Sequence, residues 1–269
     1  MKKLKTALES VYMFLLFLFF YVPIIILMVL SFNSSKSRGH WGGFSLKWYG
    51  EMFADTQLML ALRNTVIVGI LSALIATVIG TAAAIGIQAF RKKSVRNIIN
   101  NVTNIPMVSS ELVTGVALMI LFIAAGIPRG MFTMLLAHIT FNIPYVILSV
   151  TPKLTQLDNS MYEAALDLGA KPFYAFRKVV LPEIMPGIIN GLLIAFTLSI
   201  DDFVISFFTT GNGVSNLSIY VYSMAKRLNP KINALSTVMF ILVIALLAII
   251  NKRSSKDKSS GNILTEVEG

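Results

Sequence analysis

Three carboxylates stand where this chain is otherwise apolar. Asp201 and Asp202 occur in Leu198-Ser199-Ile200-Asp201-Asp202-Phe203, and Glu111 lies near the start of another apolar run. An ionised carboxylate inside a bilayer costs several kcal/mol unless it faces water, a partner or a cation. Such residues therefore serve either a structural hydrogen-bonded pair or a path for a positively charged group. Adjacent residues on a helix point about 100° apart, so at most one of the two aspartates faces a path directly, and the sequence leaves open which. His138 is alone in its apolar stretch, where a helix–helix hydrogen bond is sufficient explanation. No glycine-rich phosphate loop, metal-spaced histidine pair or nucleophile constellation occurs, so no motif for ATP hydrolysis is visible. The chain has no cysteine, which excludes disulfides and thiolate metal sites.

The elements that must carry these residues are membrane helices. Of 269 residues, 55% are hydrophobic and 13% charged, far outside the usual range of a soluble domain. Apolar runs predict six spans, at about 11–32, 65–90, 106–127, 131–150, 187–208 and 233–250. Together they make a membrane domain over 1–251, followed by a polar tail over 252–269. The second span is rich in small residues (Gly69, Ser72, Ala73, Ala76, Gly80), which let membrane helices approach closely. With six spans both termini share a side. Fifteen of the 23 lysines and arginines fall on that side and eight on the other, so the positive-inside rule places the termini in the cytoplasm. The net charge of +10 thereby reads as topology, and not as a nucleic-acid footprint. Trp41 and Trp48, beside the first span, suit either an interfacial anchor or contact with an external partner or substrate.

One polar stretch does not read as a loose linker. In 159–182, Ser160 and Glu163 have the spacing of a capping box. Met161, Ala164, Ala165 and Leu168 share a face, and Gly169 sits where a left-handed cap is wanted. Pro172 suits the first turn of a second helix, whose apolar stripe is Phe173, Phe176 and Val180 and which Pro182 is expected to end. The prediction is two short helices folded about a glycine.

The spacing Glu163-Ala164-Ala165, Gly169, Val179, Leu181-Pro182 resembles the EAA loop of ABC-importer permeases, with Val179 where the family usually has isoleucine. From Glu163 to Lys258 the chain resembles the C-type permease subunit of spermidine/putrescine importers. The resemblance runs through Phe196 to Val204, Tyr222-Ser223-Met224 and Asn233-Ala234-Leu235-Ser236-Thr237. Lys47-Trp48-Tyr49, Pro106 and Glu111 agree with it in layout. The segment Thr210 to Ser218 and the Phe207-Phe208 pair depart from it.

The resemblance implies an all-α, six-span type I importer permease in the cytoplasmic membrane. Glu163, Ala164, Ala165, Gly169, Leu181 and Pro182 would form the surface that couples to the ATPase. The implied partners are a second permease, two copies of a cytoplasmic ATPase and an extracellular polyamine-binding protein. The chain itself would carry no cofactor, ATP and Mg²⁺ being held by the ATPase. A polyamine is a flexible polycation, so its path needs spaced carboxylates and aromatic faces. Asp201, Asp202 and Glu111 can supply the first, and Trp41, Trp48, Tyr145 and Phe203 the second. Two alternatives stay open: an importer of another substrate, and an ion-coupled secondary transporter in which Asp201 or Asp202 carries a proton.

Overall fold

The computed structural model describes residues 2–37, 39–90, 92–211, 213–225, 229–241 and 244. The tail over 252–269 and most of the second half of the sixth expected span lie outside the described residues. The chain divides into two compact units, residues 1–56 with 221–269 and residues 57–220.

The regular elements among the described residues are helices, with one isolated bridge between Asn33 and Phe44. In the first unit α1 spans Lys2–Ser31 and α2 spans Lys47–Phe53. Asn33 organises the turn between them. Its Oδ1 accepts the N–H groups of Ser35 and Gly42, and its carbonyl accepts the Trp48 indole N–H at 2.6 Å. A helix α12 covers Lys231–Ile241.

The second unit begins with α3, Thr56–Ala89, which at 1.5 Å per residue is about 51 Å long. Then come α4 (Lys93–Val108), α5 (Glu111–Ala124) and α6 (Met131–Gln156). Next are α7 (Asn159–Asp167), α8 (Pro172–Ala175), a π-helical turn (Phe176–Val180) and α9 (Leu181–Asp201). Short helices α10 (Val204–Thr209) and α11 (Leu217–Ala225) follow, the second continuing into the first unit. Helices α3, α6 and α9 converge on Val146. A Cβ at Gly80 of α3 would stand 2.7 Å from the Val146 Cβ, and one at Gly191 of α9 would stand 3.3 Å from its Cα. Missing side chains on two helices thus let both backbones close on one valine, which is wholly buried.

Among the described residues, four helices are long and apolar enough to cross a membrane, or five if the bent pair α4 and α5 counts as one span. Several expected boundaries differ. The second span starts at Thr56, nine residues before its expected start. The third is not one rod: α4 and α5 meet at 101°, and the break falls at Ser109 and Ser110 while Pro106 stays inside α4. The expected fifth span over 187–208 is broken at Asp202 and Phe203. Pro182 does not end the hairpin's second helix. Helix runs without interruption from Pro172 to Asp201, with Pro182 in the first turn of α9 after the π-helical turn. A proline removes one helical hydrogen bond and crowds the carbonyl four residues earlier, and a widened turn beside it gives that ring room.

Candidate functional site

The hairpin is built from its caps inward. The N-cap of α7 is Asp158, whose carboxylate accepts the Ser160 N–H at 2.9 Å. The expected Ser160–Glu163 capping box is therefore corrected: Ser160 lies inside the helix, and the cap comes from Asp158, two residues earlier. The Ser160 N–H beside Asp158 holds its carboxyl below the ordinary carboxylate range.

At the other end Gly169 has φ +84°. Its N–H donates to Leu166 O at 2.9 Å, and that of Ala170 to Ala165 O at 3.0 Å. This paired closure is the Schellman arrangement, and it satisfies carbonyls that a helix end leaves open. Met161, Glu163, Ala164, Leu168, Phe173 and Tyr174 are exposed on the hairpin, whereas Ala165 is half-buried. The expected second stripe splits: Phe173 faces out, while Phe176 and Val180 join the cluster that holds Val146 and Ile184. They also line a cleft of about 700 Å³ with Gln88, Arg96, Leu154 and Tyr162.

The carboxylates occupy the break between α9 and α10, and the break treats them differently. Asp202 is 7% exposed. Its Oδ1 accepts the Ile205 N–H at 3.1 Å and its Oδ2 the Ser206 N–H at 2.8 Å. His138 Nε2 of α6 lies 3.5 Å from Oδ2 and 2.8 Å from the Ser206 hydroxyl. Asp202 thus caps α10 and pairs with α6. Asp201, the last residue of α9, is exposed. The adjacent aspartates diverge because one ends a helix and the other turns back to start the next, so the expected 100° helical offset does not describe them.

Glu111, in the first turn of α5, is exposed and lies within Coulombic reach of both aspartates. Gly115, one turn further along α5, explains the approach: a Cβ there would stand 3.4 Å from the Ile205 Cα of α10. Tyr145 of α6 is in Coulombic reach of Glu111 and packs its ring 5.2 Å from that of Phe141. Phe203, in the break itself, has its ring centroid 5.4 Å from that of Phe207, the two planes tilted by 32°. Glu111, Tyr145, Asp201, Asp202 and Phe203 are therefore brought to one region of the second unit.

The tryptophans belong to the first unit. Trp48 is 2% exposed, its N–H given to the Asn33 carbonyl, so its ring serves the fold of that turn and offers no face to a ligand. Trp41 is exposed.

Sequence reasoning missed a set of buried hydroxyls and amides that tie the site together. The Asn142 amide of α6 donates to the Ser199 hydroxyl of α9 at 2.7 Å, and Ser199 is 2.9 Å from Ser72 of α3. Asn216 donates to the Asp202 carbonyl at 3.0 Å and to the Ser206 hydroxyl at 2.8 Å, and accepts the Ile219 N–H at 2.9 Å. Asn216 and Asp158 carried a legible signal, since each precedes a helical run as a capping residue does. Ser72, Ser199 and Ser206 carried none.

Comparison with known proteins follows the same lines. A family model described as binding-protein-dependent transport system inner membrane component matches residues 76–254. The spermidine/putrescine transport system permease protein PotC of Escherichia coli (strain K12) is 36% identical over 252 residues, 93% of this chain and 95% of that protein. The putrescine transport system permease protein PotI of the same organism is 41% identical over 230 residues, 83% of this chain and 82% of that protein. The crystal structure of a bacterial ABC transporter involved in the import of the acidic polysaccharide alginate superimposes with a TM-score of 0.72. It covers 93% of this chain and 96% of that chain at 16% identity, which is evidence of a shared fold.

Proposed function

This chain belongs to the family of binding-protein-dependent transport system inner membrane components, a permease component of ABC transporters, and from that premise we propose that its cargo is a polyamine such as spermidine or putrescine. Family membership also removes the ion-coupled alternative, since the motive force of an ABC transporter comes from ATP.

The observation that carries the cargo assignment is the placement of Glu111 and Asp201. They are exposed carboxylates from two different helices, within Coulombic reach of each other at one helix break. A polycation leaving water for a narrow path loses hydration. At an effective dielectric of about 20, two unit charges 4 Å apart attract by about 4 kcal/mol before desolvation is subtracted, so each fixed carboxylate offsets part of that loss. Tyr145 and Phe203 add ring faces for the ammonium groups. The two relatives named for polyamine transport support the same substrate class.

In this reading a binding protein delivers the polyamine on the outer side, and a second permease completes the path. Two copies of an ATPase, which hold ATP and Mg²⁺, dock on the hairpin. The exposed face with Met161, Ala164, Leu168 and Phe173 is the docking surface. The termini and the hairpin are cytoplasmic. Six spans cross the membrane, most of the second half of the sixth lying outside the described residues. The uninterrupted helix from Pro172 to Asp201 is a lever about 45 Å long, so a push on the hairpin reaches Asp201 without passing through a loop.

The test is uptake of labelled spermidine and putrescine in a transporter-deficient host expressing the complete system. Asp201→Asn keeps the side chain's shape and removes its charge. Its uptake is expected to fall by tenfold or more per assembled complex. Wild-type uptake by Asp201→Asn and Glu111→Gln alike would remove these carboxylates from the path. An ATPase that fails to co-purify with the tagged chain would remove the assembly.

A further inference from the structure

We infer that Asp202, His138, Ser206 and Asn216 form a positioning knot that aims the Asp201 carboxylate at the cargo, and that Asp202 is not itself a cargo ligand. The inference rests on the reading of Asp201 as a path residue.

The adjacent aspartates look equivalent in sequence, and the geometry separates them. Both Asp202 carboxylate oxygens are occupied, by the N–H groups of Ile205 and Ser206 at 3.1 and 2.8 Å, with His138 Nε2 3.5 Å from Oδ2. The residue is 7% exposed. A polycation would have to strip these partners from a buried group, whereas Asp201 beside it is open.

Asp202 also fixes the main chain around it. A helix that ends inside a membrane leaves carbonyls without intrahelical partners. At the end of α9 the Asn216 amide takes the Asp202 carbonyl at 3.0 Å, and the Ser218 hydroxyl approaches the Asp201 carbonyl at 3.4 Å. Residues at the start of α11 therefore hold the carbonyls of both aspartates, and the Asp202 side chain is held from two further stretches. His138 comes from α6, Ser206 from α10, and Asn216 from the N-terminus of α11, where its Oδ1 takes the Ile219 N–H. Ser206 is the centre of the knot, its hydroxyl 2.8 Å from His138 Nε2 and 2.8 Å from Asn216 Nδ2. His138, Ser206 and Asn216 are at most 2% exposed, so none of them can meet cargo. Loosening the knot leaves the charge of Asp201 in place but no longer holds it in one direction.

The experiment measures spermidine uptake against concentration for the complete transporter, with rates divided by the amount of assembled complex. The variants are His138→Leu, His138→Gln, Asp201→Asn and the double variant His138→Leu/Asp201→Asn. His138→Leu is expected to raise the apparent KM about tenfold while the maximal rate per complex stays within about twofold, the signature of lost binding geometry. His138→Gln, whose amide nitrogen reaches the place of Nε2, is expected to restore most of the loss. In the Asp201→Asn background His138→Leu is expected to add nothing further, because the group being aimed is gone.

A wild-type KM in His138→Leu overturns the inference. So does a full additional loss in the double variant, which is the result for a histidine acting independently of Asp201. Wild-type uptake by Asp201→Asn overturns the place of Asp201 in the path and the knot's purpose together, whereas a wild-type KM in His138→Leu beside a defective Asp201→Asn overturns the knot alone, so the two failures are distinguishable. If His138→Leu does not assemble, Ser206→Ala removes a single hydroxyl at the knot's centre and carries the same expectations.

Discussion

The N–H of Ala170 donates to the carbonyl of Ala165 at 3.0 Å, closing the tip of the hairpin around Gly169. The closure needs the backbone of residue 169 at φ +84°. A residue with a Cβ in the left-handed region costs about 1–2 kcal/mol, although the space around Gly169 is empty to 4 Å. The strain is conformational and not steric. Gly169→Ala and Gly169→Trp are thus expected to re-aim α8 against α7, lowering uptake and ATPase association while the chain still inserts in the membrane. Gly169→Asn, which tolerates the left-handed region better, is expected to retain more of both. Wild-type coupling in Gly169→Trp would take the turn out of the coupling role.

The cap on α7 makes a pH-dependent prediction. The folded-state pKa of Asp158 is lowered from 3.8, chiefly by the Ser160 N–H. A depressed carboxylate stabilises the folded form above its unfolded pKa and loses that contribution as pH falls through the folded value. Protection of the first α7 amides in hydrogen exchange, corrected for intrinsic rate, is expected to hold at neutral pH and fade below about 3.8. In Asp158→Ala it is expected to be low throughout. Glu163→Ala is expected to leave this protection unchanged, because Asp158 supplies the cap.

How much of this was readable in the sequence depends on the range of the interaction. The hairpin's turn rests on Gly169 and Pro172, whose backbone preferences act within a few residues, and its outline followed from them. The small-residue stripe on α3 was readable for the same reason. The break at Asp202 was not. It is stabilised by His138, 64 positions earlier, and by Asn216, and the local pattern Leu198 to Val204 holds no proline or glycine to mark a break. The bend before Glu111 was hidden because Pro106 is the obvious breaker and Ser109-Ser110 is not. Pro182 misled in the opposite sense, since a proline in a first turn after a π-helical turn does not stop a helix. The different fates of Asp201 and Asp202 are a tertiary property, as two identical side chains carry no local signal of which is buried.

The packing around Val146 sets a stability prediction. A Cβ at Gly80 would stand 2.7 Å from Val146 Cβ and 3.2 Å from Ile143 O, so Gly80→Leu must push α3 away from α6. Overpacking of this kind costs about 1–3 kcal/mol. Gly80→Leu is expected to lower the melting temperature of the purified transporter and the amount of complex recovered. Gly86→Ala, on the same helix with nothing within 4 Å, is the matched control and is expected to be neutral. Equal melting temperatures for the two would mean that α3 and α6 do not pack as described.

The last prediction concerns orientation. The proposed topology rests on fifteen lysines and arginines on one side of the membrane and eight on the other, because translocating cationic loops is disfavoured. The chain lacks cysteine, so single cysteines report without background. Ser94, exposed at the head of α4 beside Lys92 and Lys93, belongs to the cytoplasmic side in this reading. Ser37, exposed in the turn after α1, belongs to the outer side. Ser160, exposed in the first turn of α7, tests the hairpin itself. In intact cells an impermeant thiol reagent is expected to label Ser37→Cys and to spare Ser94→Cys and Ser160→Cys. After permeabilisation all three are expected to react, which shows that the spared thiols were shielded by the membrane and not by packing. Labelling of Ser94→Cys in sealed cells would break the assignment of the α3–α4 connection to the cytoplasm. Labelling of Ser160→Cys there would put the hairpin where no ATPase could reach it.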